Sequence, residues 1–322
     1  LTGLYGGLNA IQADFDNDGF ADILVLRGGW FQSGGRHPNS LLHNNGDGTF
    51  TDVTFDAGLT THAPTQTAAW SDYDNDGDAD LYITNGFKRD VLNLDIIEYV
   101  NLQTSPMAIM RRVPLLRLKN YVYRNDGDLR FTKSANAWGL DQVVNSNGVA
   151  RGDLDGDGDL DLVLNNLDST MMLLENRASN RDDAPGYFRV RLEGAAKNRG
   201  AIGARVTITT AAGTQMREMT PARSYLSSVE PILHFGLGRI EGVERIEVSW
   251  PDGSIETFDD GWSANQVVAL EQGKGRTGER EGPDKATLAE IPLEEGLAYR
   301  HKENVHRDFY RERLLPRRYS TM

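Results

Sequence analysis

The sequence predicts an all-β fold: a partial β-propeller followed by a small antiparallel β-sandwich. Three observations predict it. An acidic nine-residue phrase occurs three times, and each copy runs into a short aliphatic stretch. The residues around the copies echo one another, with loop-to-loop spacings of 58 and 81 residues. Beyond residue 186, seven short apolar runs alternate with Gly, Pro and Asp-Gly punctuation.

The phrase reads Asp14-Phe-Asp16-Asn-Asp18-Gly19-Phe20-Ala-Asp22, then Asp72-Tyr-Asp74-Asn-Asp76-Gly77-Asp78-Ala-Asp80, then Asp153-Leu-Asp155-Gly-Asp157-Gly158-Asp159-Leu-Asp161. Carboxylates this close repel one another unless a hard cation lies among them. The side chains at positions 1, 3, 5 and 9 and the carbonyl at position 7 (Phe20, Asp78, Asp159) form an all-oxygen set. Such a set suits Ca2+ and not zinc or copper. The first half of the pattern is shared with the EF-hand, whose twelfth position must be a bidentate Glu. Here that position holds Val25, Ile83 and Leu164. The runs Ile23–Leu26, Leu81–Thr84 and Leu162–Leu164 read instead as buried strands, so each loop leads into a strand. Three calcium sites are expected, with no other cofactor and no catalytic residue.

Each loop is followed by a strand ending in Asn: Leu41-Leu-His-Asn44 and Tyr121-Val-Tyr-Arg-Asn125 in full, and Met171-Met-Leu-Leu-Glu-Asn176 as a partial echo. After the first two comes a glycine turn, then Phe50 or Phe131, then Gly58-Leu59 or Gly139-Leu140. Units of this length, with about four short strands each, are blades of a β-propeller. The longer spacing contains an insertion, residues 87–119. Its apolar residues Leu92, Ile96, Tyr99 and Val100 give a partly helical pattern broken by Pro106 and Pro114. It reads as a cap packed on the propeller, with a partner or ligand surface as the alternative.

These residues carry a resemblance. The chain is similar to the FG-GAP/VCBS repeat family, whose blades hold calcium in such loops, as in the head of integrin α subunits. More narrowly, it resembles the cartilage acidic protein group and its bacterial relatives, in which such blades precede an ASPIC/UnbV domain. That second element is carried by Asn198-Arg-Gly-Ala-Ile-Gly-Ala-Arg-Val-Thr207, His234-Phe-Gly-Leu-Gly238 and Val243-Glu-Arg-Ile-Glu-Val-Ser-Trp-Pro-Asp-Gly253. Without the resemblance, strands are still expected at 187–192, 204–209, 215–219, 232–235, 245–250, 255–258 and 266–270, enough for a compact sandwich. The resulting division is blades over 1–178, sandwich over 179–272, and a linker with the start of a further repeat region over 273–322.

Composition bounds the function. A formal charge of −13 argues against nucleic acid or an anionic membrane as partner. Three divalent cations would offset six of those charges. There is no cysteine, so calcium and sheet closure must take the stabilising role of disulfides. Extracellular calcium modules bind with Kd on the order of 10⁻⁴–10⁻³ M, and so an exported, cell-surface location is expected, with the 322 residues read as a piece of a longer protein.

The expected role is non-catalytic: binding of a glycan or protein ligand, adhesion, or surface assembly. Two alternatives stand beside it. One is a carbohydrate-active enzyme of lyase or dehydratase type, which the resemblance allows but which needs a convergent acid/base cluster. The other is a structural subunit of a surface filament or sheath, built by self-assembly. The histidines (His37, His43, His62, His234, His301, His306) show no close metal spacing. Asn198-Arg-Gly-Ala-Ile-Gly203 lacks the Gly-Lys-Ser/Thr of a phosphate loop. Arg151-Gly152-Asp153 spells the tripeptide that integrins recognise, but Asp153 is position 1 of the third loop and is read as a metal ligand.

Overall fold

Each acidic loop joins the first strand of a blade to its second. The computed structural model describes residues 7–278 apart from 8, 28–37, 62, 64, 90–112, 114, 117, 168, 196 and 225. The first blade is the antiparallel sheet β1 (Asn9–Ala13), β2 (Asp22–Leu26), β3 (Ser40–Asn44) and β4 (Phe50–Asp52). The second repeats it with β5 (Thr67–Ser71), β6 (Asp80–Thr84), β7 (Tyr121–Asn125) and β8 (Phe131–Lys133). The third has β9 (Ser146–Gly152), β10 (Asp161–Asn166) and β11 (Met172–Leu174), with no fourth strand among the described residues.

The register is the same in all three. The residue before the loop pairs with position 9: Ala13 with Asp22, Ser71 with Asp80, Gly152 with Asp161. Aliphatic residues just after position 9 explain the packing. Leu24, Leu81 and Ile83 join Phe15, Trp70 and Phe131 in the core between the first and second blades. Tyr82, Val122, Val149, Leu162 and Leu164 form the core between the second and third. Each such side chain, fully buried, contributes about 1.5–3 kcal/mol.

The sandwich contains all seven expected strands. One sheet places β12 (Gly186–Glu193) between β17 (Ile232–Gly238) and β22 (Gln266–Glu271). The other runs β14 (Gly213–Glu218), β13 (Arg205–Thr210), β19 (Arg245–Ser249), β20 (Ile255–Phe258) and β23 (Arg276–Thr277). Pairing is antiparallel except between β12 and β22, which run parallel. Because β23 pairs with β20, the sheet extends to Thr277, past the expected boundary at 272. Phe188, Val190, Val206, Ile208, Phe235, Ile246 and Val248 alternate inward to form its core. Two short hairpins complete it: β15 (Ala222–Ser224) with β16 (Ser227–Ser228), and β18 (Gly242–Val243) with β21 (Trp262–Ser263). The first hairpin packs on β5 and β9, the innermost blade strands, and Ser224 Oγ donates to the Val149 carbonyl.

The insertion's helical reading falls outside the described residues. At its ends, Arg89 bridges Leu115 and its guanidinium donates to the Val113 carbonyl at 2.6 Å. The described residues belong to one compact unit. Residues 279–322, most of the span where the further repeat region was expected, also lie outside the described residues. No helix long and apolar enough to cross a membrane occurs among the described residues.

Candidate metal centre

The loops owe their shape to two left-handed positions. Position 6 is glycine in each copy, with φ of 90°, 106° and 93° at Gly19, Gly77 and Gly158. Position 4 is Asn17, Asn75 and Gly156, with φ of 60°, 55° and 82°. Asn is the side chain that best tolerates this region after glycine. The turn then folds the loop back on itself. Gly19 N–H donates to Asp14 at 3.1 Å and Gly77 N–H to Asp72 at 2.8 Å. In the third loop the donor to Asp153 is instead Gly156 N–H, at 2.7 Å.

Position 9 does more than the sequence suggested. One carboxylate oxygen of Asp22, Asp80 and Asp161 accepts the N–H of position 2 (Phe15, Tyr73, Leu154) at 3.2, 2.9 and 2.9 Å. The other accepts the N–H of the strand-ending Asn (Asn44, Asn125, Asn176) at 2.8 Å in every blade. This Asp therefore clamps the third strand to the loop while keeping lone pairs for a cation.

The geometry brings Asp14, Asp16 and Asp18 together, likewise Asp72, Asp74 and Asp80, and Asp153, Asp155 and Asp157. Within each group, carboxylate oxygens lie within 4.8 Å of one another. Asp16 and Asp22 also converge on His43, whose Nδ1 lies 3.3 Å from each. Burial pushes the Asp14 carboxyl up to about 7, against the lowering effect of Arg217. It pushes Asp22 and Asp76 up to about 6, and Asp72 and Asp80 well above the ordinary range. In the third loop it raises Asp159 to about 6. Buried oxygens of Asp14, Asp74 and Asp159 have no hydrogen-bond partner. Buried, crowded and partly unsatisfied carboxylate oxygens are the donor set of a hard divalent cation. The residues present fit calcium.

The loops are chained to one another. The amide of Asn17 donates to the Gly77 carbonyl at 3.2 Å and to Asp78 at 3.0 Å, and the amide of Asn75 donates to the Gly158 carbonyl at 3.2 Å. The sandwich then takes the other ends of these two side chains. Arg217 donates to Asn17 Oδ1 at 3.1 Å and to the Gly77 carbonyl at 3.2 Å. His234 Nε2 lies 2.6 Å from Asn75 Oδ1. Because the Asn75 amide group is spent on Gly158, its oxygen is the acceptor and His234 carries the proton on Nε2. Burial and the nearby Arg151, Arg189 and Arg217 hold His234 well below its usual pKa, hence neutral.

Two glycines show how close the approach is. A Cβ on Gly236 of β17 would lie 2.0 Å from Asp72 Oδ2 and 2.6 Å from the Asn75 backbone, and one on Gly158 would meet the Tyr187 ring at 1.8 Å. Arg189 of β12 is inserted at the third loop, donating to Asp153 at 2.7 Å and to Glu230. Asp153 is thus turned inward, and the Arg-Gly-Asp tripeptide is not presented as an adhesive loop. Sequence reasoning missed Arg189, Arg217 and His234, since each looks like an ordinary strand residue. Their one signal was the His234-Phe-Gly-Leu-Gly238 segment.

Fold and loops together define a repeat protein: propeller blades with an acidic loop in each, capped by a sandwich seated on those loops. Residues 14–83 and 117–164 match the FG-GAP-like repeat family, and residues 194–277 match the ASPIC and UnbV family. The chain thus carries FG-GAP-like repeats and an ASPIC and UnbV domain. It is similar to cartilage acidic protein 1 of Homo sapiens, 28% identical over 305 residues that cover 84% of this chain and 44% of that protein. Its similarity to cartilage acidic protein 1 of Xenopus tropicalis is 30% over 258 residues, 78% of this chain and 34% of that protein. The chain spans less than half the length of these relatives.

Proposed function

We propose that the chain is an extracellular, calcium-stabilised binding module without catalytic activity, serving ligand binding, adhesion or surface assembly. The observation that carries the calcium part is the set of crowded carboxylates at Asp14, Asp72, Asp74 and Asp80, each raised by burial, with a buried oxygen of Asp14 and of Asp74 left without a hydrogen-bond partner. Asp14, Asp16, Asp18 and Asp22 would hold one ion with the Phe20 carbonyl. Asp72, Asp74, Asp76 and Asp80 would hold a second with the Asp78 carbonyl, and Asp153, Asp155, Asp157 and Asp161 a third with the Asp159 carbonyl. An ion in each loop supplies the positive charge the buried carboxylates lack. The chain's own residues do the fastening: the position-9 clamps hold the strands, and Asn17 and Asn75 hold loop to loop and loops to sandwich.

The test is calorimetric titration of calcium into the chelator-stripped chain, with melting curves in calcium and in chelator. Saturable uptake with a large rise in melting temperature is expected. Coincident melting curves and no heat of binding would overturn the reading.

A further inference from the structure

The three blades are built alike up to the third strand, and there the third blade departs. In the first two, the Asn that ends the third strand is followed by a glycine turn, a fourth strand, and a wound segment with one hydrogen-bond pattern. Ala57 N–H donates to Val53 at 2.8 Å and Trp138 N–H to Ser134 at 3.0 Å. Leu59 N–H donates to Thr54 at 3.0 Å and Leu140 N–H to Ala135 at 2.7 Å. Position for position, Trp138 and Leu140 of the second blade stand where Ala57 and Leu59 stand in the first. On the third blade, the outer edge of β11 has no strand beside it among the described residues.

The second blade shows what such an edge is shaped to hold. Phe131 opens β8 directly opposite Asn125, and its N–H donates to the Ala57 carbonyl of the preceding blade at 3.1 Å. Its ring packs 5.7 Å from Phe15 and 5.9 Å from Trp70, in a core that includes Ala57, Leu59, Leu81 and Tyr123. The corresponding residues one blade on are Tyr73, Trp138, Leu140, Leu162, Leu174 and Asn176. These six line an open groove of about 320 Å³. It repeats the seat of Phe131 with Arg151 in the place of Trp70 and Trp138 in the place of Ala57, and among the described residues no Phe fills it.

We propose that this groove receives an extended peptide strand from a partner protein, which pairs antiparallel with the free edge of β11 and seats an aromatic side chain opposite Asn176. A sheet edge with no strand beside it among the described residues, and a side-chain pocket alongside, is the geometry of strand addition. The register is given by β7 and β8, where Asn125, Arg124 and Tyr123 face Phe131, Thr132 and Lys133. Residues preceding the aromatic then pass a rim of mixed charge, with Arg177 paired to Glu175 and Arg181 to Asp183, so polar residues without net charge are favoured there. Leu173, 59% exposed, and Met171, 67% exposed, extend the apolar edge along the strand. The inference rests on the binding role proposed above and not on its calcium part, since the six residues that would seat the aromatic include no expected calcium ligand.

The test uses the full chain and a synthetic peptide copying residues 45–53, Asn-Gly-Asp-Gly-Thr-Phe-Thr-Asp-Val, capped at both ends. Titration is followed by tryptophan fluorescence and calorimetry, in calcium and in chelator. Saturable binding is expected, weakened at least about tenfold by replacing the peptide's Phe with Ala and by Trp138→Ala or Leu174→Lys in the chain. N-methylation of the peptide's Phe amide, which removes the hydrogen bond corresponding to that of Phe131 N–H with the Ala57 carbonyl but keeps the ring, is expected to weaken it too. Melting curves identify any chain variant that fails to fold, and the peptide variants do not depend on it. No saturable binding, or binding indifferent to these changes, would overturn the proposal. So would competition by an acidic oligosaccharide that binds the groove more tightly. A photocrosslinker at position 138 that captures a second copy of the chain, or the chain's own residues beyond 278, would equally overturn it. A failed calcium titration with intact peptide binding would remove only the calcium reading.

Discussion

Asn125, at the end of the second blade's third strand, donates a 2.7 Å hydrogen bond to the carbonyl of Phe15 in the first blade's loop, 110 residues away in sequence. The same side chain donates to Ala79 O at 3.3 Å and accepts from Gly127 N–H at 3.1 Å. Asn176 repeats the reach, binding Tyr73 O at 2.7 Å. One side chain thus ties its own turn and strand to the neighbouring blade. Asn125→Ala is expected to cost about 1–3 kcal/mol, since it strands buried partners. Asn44→Ala should cost less, because among the described residues the Asn44 amide donates to Ala21 O alone, within its own blade. Urea unfolding of the two variants checks the order; a larger loss at Asn44 would refute it.

Asp74→Asn should change sign with calcium. Asp74 is raised by burial and has an unpartnered, buried Oδ1, so in chelator the neutral side chain leaves the melting temperature equal or higher. In saturating calcium the variant is expected to lose the stabilisation of one site, about 2.7 kcal/mol at a hundredfold excess over Kd. Parallel melting curves in both conditions decide it. A loss of equal size in both would mean that Asp74 is structural rather than a ligand.

Stability should depend on pH in opposite ways with and without calcium. Asp14 is held at about 7 and Asp22 and Asp76 at about 6, all above the ordinary carboxylate value of 3.8. Between those values the folded chain keeps protons that the unfolded chain has released. In chelator, these groups' stabilising contribution is present below about pH 4 and is lost as pH rises toward 7. Calcium requires the ionised carboxylates, so its stabilising effect grows over the same window. Melting temperatures from pH 5 to 8, in calcium and in chelator, should diverge as pH rises.

Gly236→Ala tests whether the sandwich is truly seated on the second loop. The added methyl meets Asp72 Oδ2 and the Asn75 backbone, neither of which is a flexible tip. A loss of about 1–3 kcal/mol is expected from this overpacking. Gly200→Ala is the control: the nearest atom would be 3.8 Å away, and a change within about 0.5 kcal/mol is expected. Equal effects at the two glycines would place the sandwich elsewhere.

The loops, the strands after them and the seven sandwich strands were legible because each rests on local chemistry. Carboxylate spacing, glycine at position 6 and apolar alternation are visible in a few consecutive residues. The strand-ending Asn44, Asn125 and Asn176 were also visible, but only as punctuation, since the bonds of Asn125 and Asn176 to another blade are not a local property. The seating of the sandwich was not legible. In the sequence Arg189, Arg217 and His234 look like the polar face of ordinary strands, and only the folded arrangement brings them onto Asp153, Asn17 and Asn75. The parallel pairing of β12 with β22 was hidden for the same reason.

The second-to-third strand connections differ greatly among blades: residues 27–39, 85–120 and 167–171 lie between those strands. Every one emerges at the blade end opposite the acidic loops, while the loop end keeps one register throughout. The molecule is therefore a two-ended object, with dimensional tolerance confined to one end. Foreign sequence grafted into the short connection at 167–171 would be displayed at the end away from the acidic loops and from the Asn17 and Asn75 bonds that join them.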